Sequence, residues 1–200
     1  MSANIHTIGD SHCWSPWVQV PNTICHNIAN CLAYSVGRDG LNRLNIKSYD
    51  VIQPNDIVVF CFGEIDCRCQ INRFVTKTKT YENIISDIVA KYIEVVKMNL
   101  NNVNKNLTVG IYNVVPPQKL SYPENPEFPF RGSPLERLNY VKTFNSELKK
   151  YCDSEGFTFV DIYDKYADTD GFLNSKYSDG HVHIVDPVFL IEYLKELNWI

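Results

Sequence analysis

Apolar positions along this chain fall into short continuous runs, separated by stretches with helical spacing. Residues 4–8 form a first short run that ends at Gly9-Asp10-Ser11. Asp56-Ile-Val-Val-Phe-Cys-Phe-Gly63 is apolar at every position from 57 to 62, the pattern of a strand covered on both faces of a parallel sheet. Thr23–Ile28, Leu107–Val115 (stopped by Pro116-Pro117) and Phe157–Ile162 give three more strands. Between them, Tyr81–Leu100 places Ile84, Ile85, Ile88, Val89, Tyr92, Ile93 and Val96 on one helical stripe. Ser133-Pro134-Leu135-Glu136 opens a helix running to about Tyr151, with serine as cap, proline at the first position and glutamate three residues after the cap. The spacing of Leu41, Leu44 and Ile46 predicts a short helix within Gly40–Tyr49, and Asp186–Leu197 a closing one.

Strands alternating with helices predict an α/β fold: a three-layer α/β/α sandwich around a central, mostly parallel sheet of about five strands. No internal repeat or linker divides it, so residues 1–200 are expected to form one domain. In such sheets ligands bind outside the carboxyl ends of the strands. Ser11, Gly37 and Gly63-Glu64-Ile65-Asp66 fall at or just past such ends.

Charge and cysteine usage narrow the function. The net charge of −4 and pI near 5.7 provide no basic field for nucleic acid or an anionic membrane. The seven cysteines show no Cys-x-x-Cys spacing, and the one close pair is Cys67-Arg-Cys69, so neither a structural metal nor a cofactor is expected. No basic start followed by an apolar core opens the chain, and no apolar run approaches the roughly 20 residues of a membrane span. A reduced, cytoplasmic setting is the expectation, with the Asn106-Leu107-Thr108 sequon unused.

Two distant segments carry candidate chemistry. Ser11 sits on the turn after the first strand, and residues 178–183 read Ser-Asp-Gly-His-Val-His. Together they supply a nucleophile, an orienting carboxylate and a general base in the order Ser…Asp…His, which points to acyl transfer through a serine ester. Taken singly, Ser11 reads as a helix cap and Asp179-Gly180 as a turn. His6, His12 and His26 read as packing or surface residues, with His12 also close enough to Ser11 to touch a substrate.

With those residues in view, the whole chain resembles the SGNH (GDSL-type) hydrolases. Gly9-Asp10-Ser11 matches the first block, and the resemblance makes Ser11 the nucleophile. Gly37, or less well Ala29, would donate its backbone N–H to the oxyanion beside that of Ser11. Gly63-Glu64-Ile65-Asp66 corresponds to the third block and Asp179–His183 to the last. Phe62-Gly-Glu-Ile-Asp-Cys-Arg68 also resembles a divergent subgroup found with polysaccharide-modifying genes. The resemblance implies a flavodoxin-like SGNH fold and a small acyl group, acetyl above all, on a carbohydrate or similar alcohol.

Two departures stand out. The family's oxyanion asparagine is Ile65, which cannot donate; Arg68 is a candidate replacement, with an ion-paired Arg68 as the alternative, and Asp66 is expected to accept hydrogen bonds that fix the loop. The Asp-to-His spacing is also irregular. Asp179 with His183 as base is preferred over His181, with Gly180 absorbing the extra residue and His181 lining the pocket or lying in solvent. Trp14, Trp17 and the aromatics of the loop from Pro117 to Arg131 (Tyr122, Phe128, Phe130) are expected either to stack on sugar rings or to anchor core and loop. Three functions remain open: an esterase, an O-acyltransferase using the same acyl-serine, and a non-catalytic binding module.

Overall fold

The computed structural model describes residues 3–119 and 126–200. Five parallel strands form one sheet: β1 (Ile5–Gly9), β2 (Thr23–Asn27), β3 (Ile57–Cys61), β4 (Thr108–Tyr112) and β5 (Thr158–Val160), in the order β2-β1-β3-β4-β5. β1 and β3 are buried at every position, which is why their sequences read as unbroken apolar runs. Successive side chains point to opposite faces. Val58 and Phe60 thus join one core, while Ile57, Val59 and Cys61 join the other.

Helices α1 (Ala33–Asp39), α3 (Tyr81–Val103) and α4 (Pro134–Glu155) fill the first face; α2 (Ile71–Phe74) is one turn preceding α3. The second face is covered by Cys13 and Trp17 from the segment after β1, by Tyr166 of the short α5 (Tyr163–Tyr166), and by α6 (Val188–Glu196) through Leu190 and Leu194. The result is the expected three-layer sandwich. Ser133 and Glu136 form the capping box anticipated for α4, and Gly156 closes that helix at φ +73°.

One element lies elsewhere than expected. Residues 40–49 hold only two 3₁₀ turns, Gly40–Asn42 and Ile46–Ser48, and the α-helix precedes them at Ala33–Asp39. Gly37 is inside that helix. A Cβ there would approach the Lys91 Cβ at 2.7 Å, so its lack of a side chain lets α1 pack closely on α3. Helix α1 is started from outside its own sequence: the Asp66 carboxylate accepts the backbone N–H groups of Ala33 (2.7 Å) and Tyr34 (3.0 Å).

All seven cysteines are free thiols, and six of them are buried. Among the described residues no helix is long and apolar enough to cross a membrane, and no cluster of three or more His, Cys, Asp or Glu side chains is arranged to hold a metal ion.

Candidate active site

The strand order reverses between β1 and its two neighbours, so a crevice opens at the carboxyl ends of β1 and β3. Gly9 ends β1 against β3 so tightly that a Cβ would collide with the Cys61 carbonyl, and the Asp10 N–H donates to that same oxygen. The chain then turns into a 3₁₀ helix, Ser11–Cys13, whose cap is Asp10. Ser11 is thereby lifted off the sheet edge and half-exposed.

The partner segment comes from the far end of the chain. An isolated antiparallel bridge, Ser178 with Ile184, closes a small hairpin that holds Asp179 and His183 on one loop. Gly180 sits at φ +86° within it, the conformation that accommodates the irregular spacing. His183 Nε2 lies 2.8 Å from Ser11 Oγ, and His183 Nδ1 lies 2.7 Å from Asp179 Oδ2. The other Asp179 oxygen accepts the backbone N–H groups of His181 (2.7 Å) and His183 (3.3 Å). His181 itself is exposed.

Electrostatics favour a neutral His183. Burial lowers its pKa, the charge of His12 lowers it further, and Asp179 opposes both. Asp179 is held below the usual carboxylate range: burial works against this, but the His183 contact and the N–H groups prevail. A neutral imidazole oriented by an ionised carboxylate, with its free nitrogen on a serine hydroxyl, is the arrangement needed to take a proton from that hydroxyl.

The other expected residues take different places. Gly37, half-buried inside α1 where that helix packs on α3, is not an oxyanion donor. Ala29 is exposed immediately beyond β2, where the Ile28 N–H donates to the Gly9 carbonyl (2.7 Å) and draws that backbone toward the nucleophile turn. Arg68 is ion-paired: Nε and one terminal nitrogen bind Glu64 (2.7 and 3.0 Å), and the other terminal nitrogen binds the Phe128 carbonyl (2.6 Å). Its guanidinium is engaged by the loop rather than held free for an oxyanion. Asp66 caps α1, and burial pushes its pKa up to about 7 although the two N–H groups pull it down. Ile65 is buried and offers no donor. Trp17 packs edge-on against Tyr112 in the core, whereas Trp14 is 50% exposed. Phe130 packs against the guanidinium groups of both Arg68 and Arg137. Tyr122 lies outside the described residues.

Two further side chains belong to the site. His12, 4% exposed, holds Nδ1 3.0 Å from Asp10 Oδ1 and Nε2 3.1 Å from the Val182 carbonyl. Glu64 is a buried carboxylate between Arg68 and His12, and despite burial their charges keep its pKa low. Each has one partner close in sequence, Asp10 for His12 and Arg68 for Glu64, but the contact of His12 with Val182 and its interaction with Glu64 are assembled across strand ends.

No protein-family model and no curated protein sequence matches this chain. Solved structures do. A GDSL-like lipase from Bacteroides thetaiotaomicron superimposes with a TM-score of 0.60 at 16% identity, over 98% of this chain and 87% of its own. An acetylxylan esterase from Geobacillus stearothermophilus, solved as a catalytic mutant, gives 0.62 at 11% identity over 100% and 98%. A member of the lipolytic G-D-S-L family from Veillonella parvula gives 0.54 at 16% over 98% and 97%. This chain therefore has the fold of the SGNH (GDSL-type) hydrolases.

Proposed function

We propose that this protein is a serine esterase that hydrolyses a small acyl ester, acetyl above all, on a carbohydrate or similar polar alcohol. The observation that carries this reading is the continuous relay Ser11–His183–Asp179, with contacts of 2.8 and 2.7 Å at the sheet edge. His183 takes the Ser11 proton as Oγ bonds to the acyl carbon, and the carbonyl electrons move onto oxygen. His183 then returns the proton to the departing alcohol. Water, deprotonated by the same imidazole, releases the acid and frees Ser11.

The developing oxyanion needs fixed donors. We assign this to the backbone N–H of Ser11 and to that of Ala29, an exposed residue that follows the Ile28–Gly9 contact beside the nucleophile turn. Ile65 leaves the position of the family's asparagine without a donor, and loss of one such donor typically costs about 10²–10³ in turnover. A modest rate on simple esters is therefore expected.

Support for a sugar substrate is chemical. Trp14 exposes half its surface three residues after Ser11, and an aromatic face can stack on a sugar ring. The acetylxylan esterase of the same fold acts on an acetylated glycan. The free thiols fit a reducing compartment such as the cytoplasm. No nucleic-acid or membrane partner is part of this reading, and no cofactor is invoked.

The test is p-nitrophenyl acetate turnover and fluorophosphonate labelling of wild type against Ser11→Ala. Activity and labelling are expected in the first and absent in the second; a wild type that neither reacts nor labels refutes the esterase. Trp14→Ala should raise KM for an acetylated xylo-oligosaccharide and leave that for p-nitrophenyl acetate unchanged. An equal effect on both esters would remove the sugar-stacking role. Repeating the reaction with a sugar acceptor, and assaying for its acylated product, separates hydrolysis from transfer.

A further inference from the structure

Behind the relay runs a second set of contacts between the same two segments. Ser11 and His12 are consecutive, as are Val182 and His183. Ser11 Oγ meets the His183 ring at 2.8 Å, and the His12 ring meets the Val182 carbonyl at 3.1 Å. Two more side chains of the nucleophile segment reach the same strip: Ser15 Oγ donates to the Ile184 carbonyl (2.5 Å), and the Gln19 amide donates to the Val185 carbonyl (2.7 Å). Of these ties, His12 alone can bear a charge.

We propose that His12 is an imidazolium positioning residue, which clamps the base-bearing loop to the nucleophile turn through Asp10 and the Val182 carbonyl and electrostatically sets His183 as a neutral base. This inference rests on the esterase reading for its catalytic consequence, but not for its structural content. A backbone carbonyl can only accept, so Nε2 carries a hydrogen. Asp10 Oδ1 accepts the backbone N–H of His12 at 2.9 Å as well as the Nδ1 contact at 3.0 Å, so Nδ1 carries a hydrogen too. An imidazole with two N–H groups is a cation.

The surroundings agree. Burial disfavours the charge, but Asp10, and more distantly Glu64, outweigh it and lift His12 to about 9. The charged and titratable groups around it are Asp10 on its own turn, Glu64 after β3 with Arg68 behind it, His183 and Asp179 on the opposing loop, and Cys61 and Tyr112 from the strand ends. Cys61 and Tyr112 stay neutral because burial raises both. The His12 and His183 ring centroids are 5.0 Å apart. At that separation a fixed positive charge opposes protonation of His183, so the base remains available at lower pH than an isolated histidine would.

The deciding experiment pairs a titration with a rate profile. ¹⁵N-histidine NMR of the intact protein should show His12 with both ring nitrogens protonated through pH 8. In His12→Gln, whose amide can still donate to Val182 but carries no charge, the His183 pKa should rise by about one unit. The acid limb of kcat/KM should move up by the same amount, with a loss of about tenfold at pH 6. His12→Ala, lacking both charge and contact, should lose more, in kcat as well. A His12 that titrates below pH 7, or a His183 pKa unchanged in His12→Gln, overturns the proposal. The NMR arm decides even where wild type shows no turnover, which would instead refute the esterase.

Discussion

Two buried histidine–aspartate pairs flank the first strand, and they are set in opposite charge states. Beyond its carboxyl end, His12 meets Asp10 at 3.0 Å; within it, His6 meets Asp56 at 3.1 Å. Both imidazoles are at most 5% exposed. The pairs differ at the second ring nitrogen. That of His12 faces the Val182 carbonyl, which cannot donate, whereas His6 Nδ1 faces His26 Nε2 at 3.0 Å, which can. Asp56 also accepts the N–H groups of Asn4 and Gln53, so its negative charge is already stabilised without a cation. Burial accordingly lowers His6 despite Asp56, and burial with the nearby His6 ring brings His26 down to about 4. A carboxylate neighbour alone does not make a histidine cationic; what its other nitrogen meets decides.

The first prediction tests whether chemistry belongs to one end only. Ser11→Ala should cut turnover by about 10⁴ or more, while urea unfolding stays within about 0.5 kcal/mol of wild type. His6→Ala should do the reverse. It removes a fully buried side chain that links Asp56 to His26, and should cost about 2–4 kcal/mol of stability with kcat of the folded protein within twofold. Turnover lost equally in both variants would erase the distinction between the two ends.

The second prediction concerns pH and separates the pairs by sign. His12 binds its proton more tightly folded than unfolded, so its contribution is full below about 6.5 and is lost as pH rises through about 9. His6 and His26 bind protons more weakly folded, so theirs is lost as pH falls below about 6.5 toward 4. Each group adds a slope of at most about 1.4 kcal/mol per pH unit within its window. Denaturant titrations should show His12→Gln flattening the alkaline limb and His26→Gln the acid limb. If either variant flattened the opposite limb, the charge assignment would be inverted.

These contrasts also mark where the sequence could be read. β1 and β3 announced themselves because burial on both faces leaves no polar position, and α3 and α4 through long stripes and a capping box. The relay was legible as residue types, since Ser11 follows the Gly9-Asp10 turn and Asp179 sits beside Gly180 in the same short segment as His183. What stayed hidden depends on contacts across the sheet edge. Helix α1 was misplaced because its cap is Asp66, 33 residues away, rather than a local Ser or Asp. Gly37 invited an oxyanion role because a glycine that admits a ligand and one that admits a neighbouring helix look alike. Arg68 is ambiguous in sequence because burial of Glu64, one helical turn earlier, is what commits its guanidinium to an ion pair.

The third and smallest effect sharpens the comparison with a buried carboxylate that has no histidine. Among the described residues Asp66 accepts the Ala33 and Tyr34 N–H groups, and nearby Asp10 repels its charge. Its folded pKa of about 7 exceeds the unfolded value, so its contribution is present below about pH 4 and fades as pH rises through 7. Asp66→Asn has no such titration, and its amide oxygen accepts less well from two donors. The substitution should therefore cost about 1 kcal/mol at pH 5, in the range of a lost cap, and less at pH 8, where wild type carries the penalty of a buried charge. Urea unfolding at the two pH values reads the difference directly. An equal cost at both would mean Asp66 stays ionised throughout, its charge held by two backbone N–H groups without a cation, as that of Asp56 is.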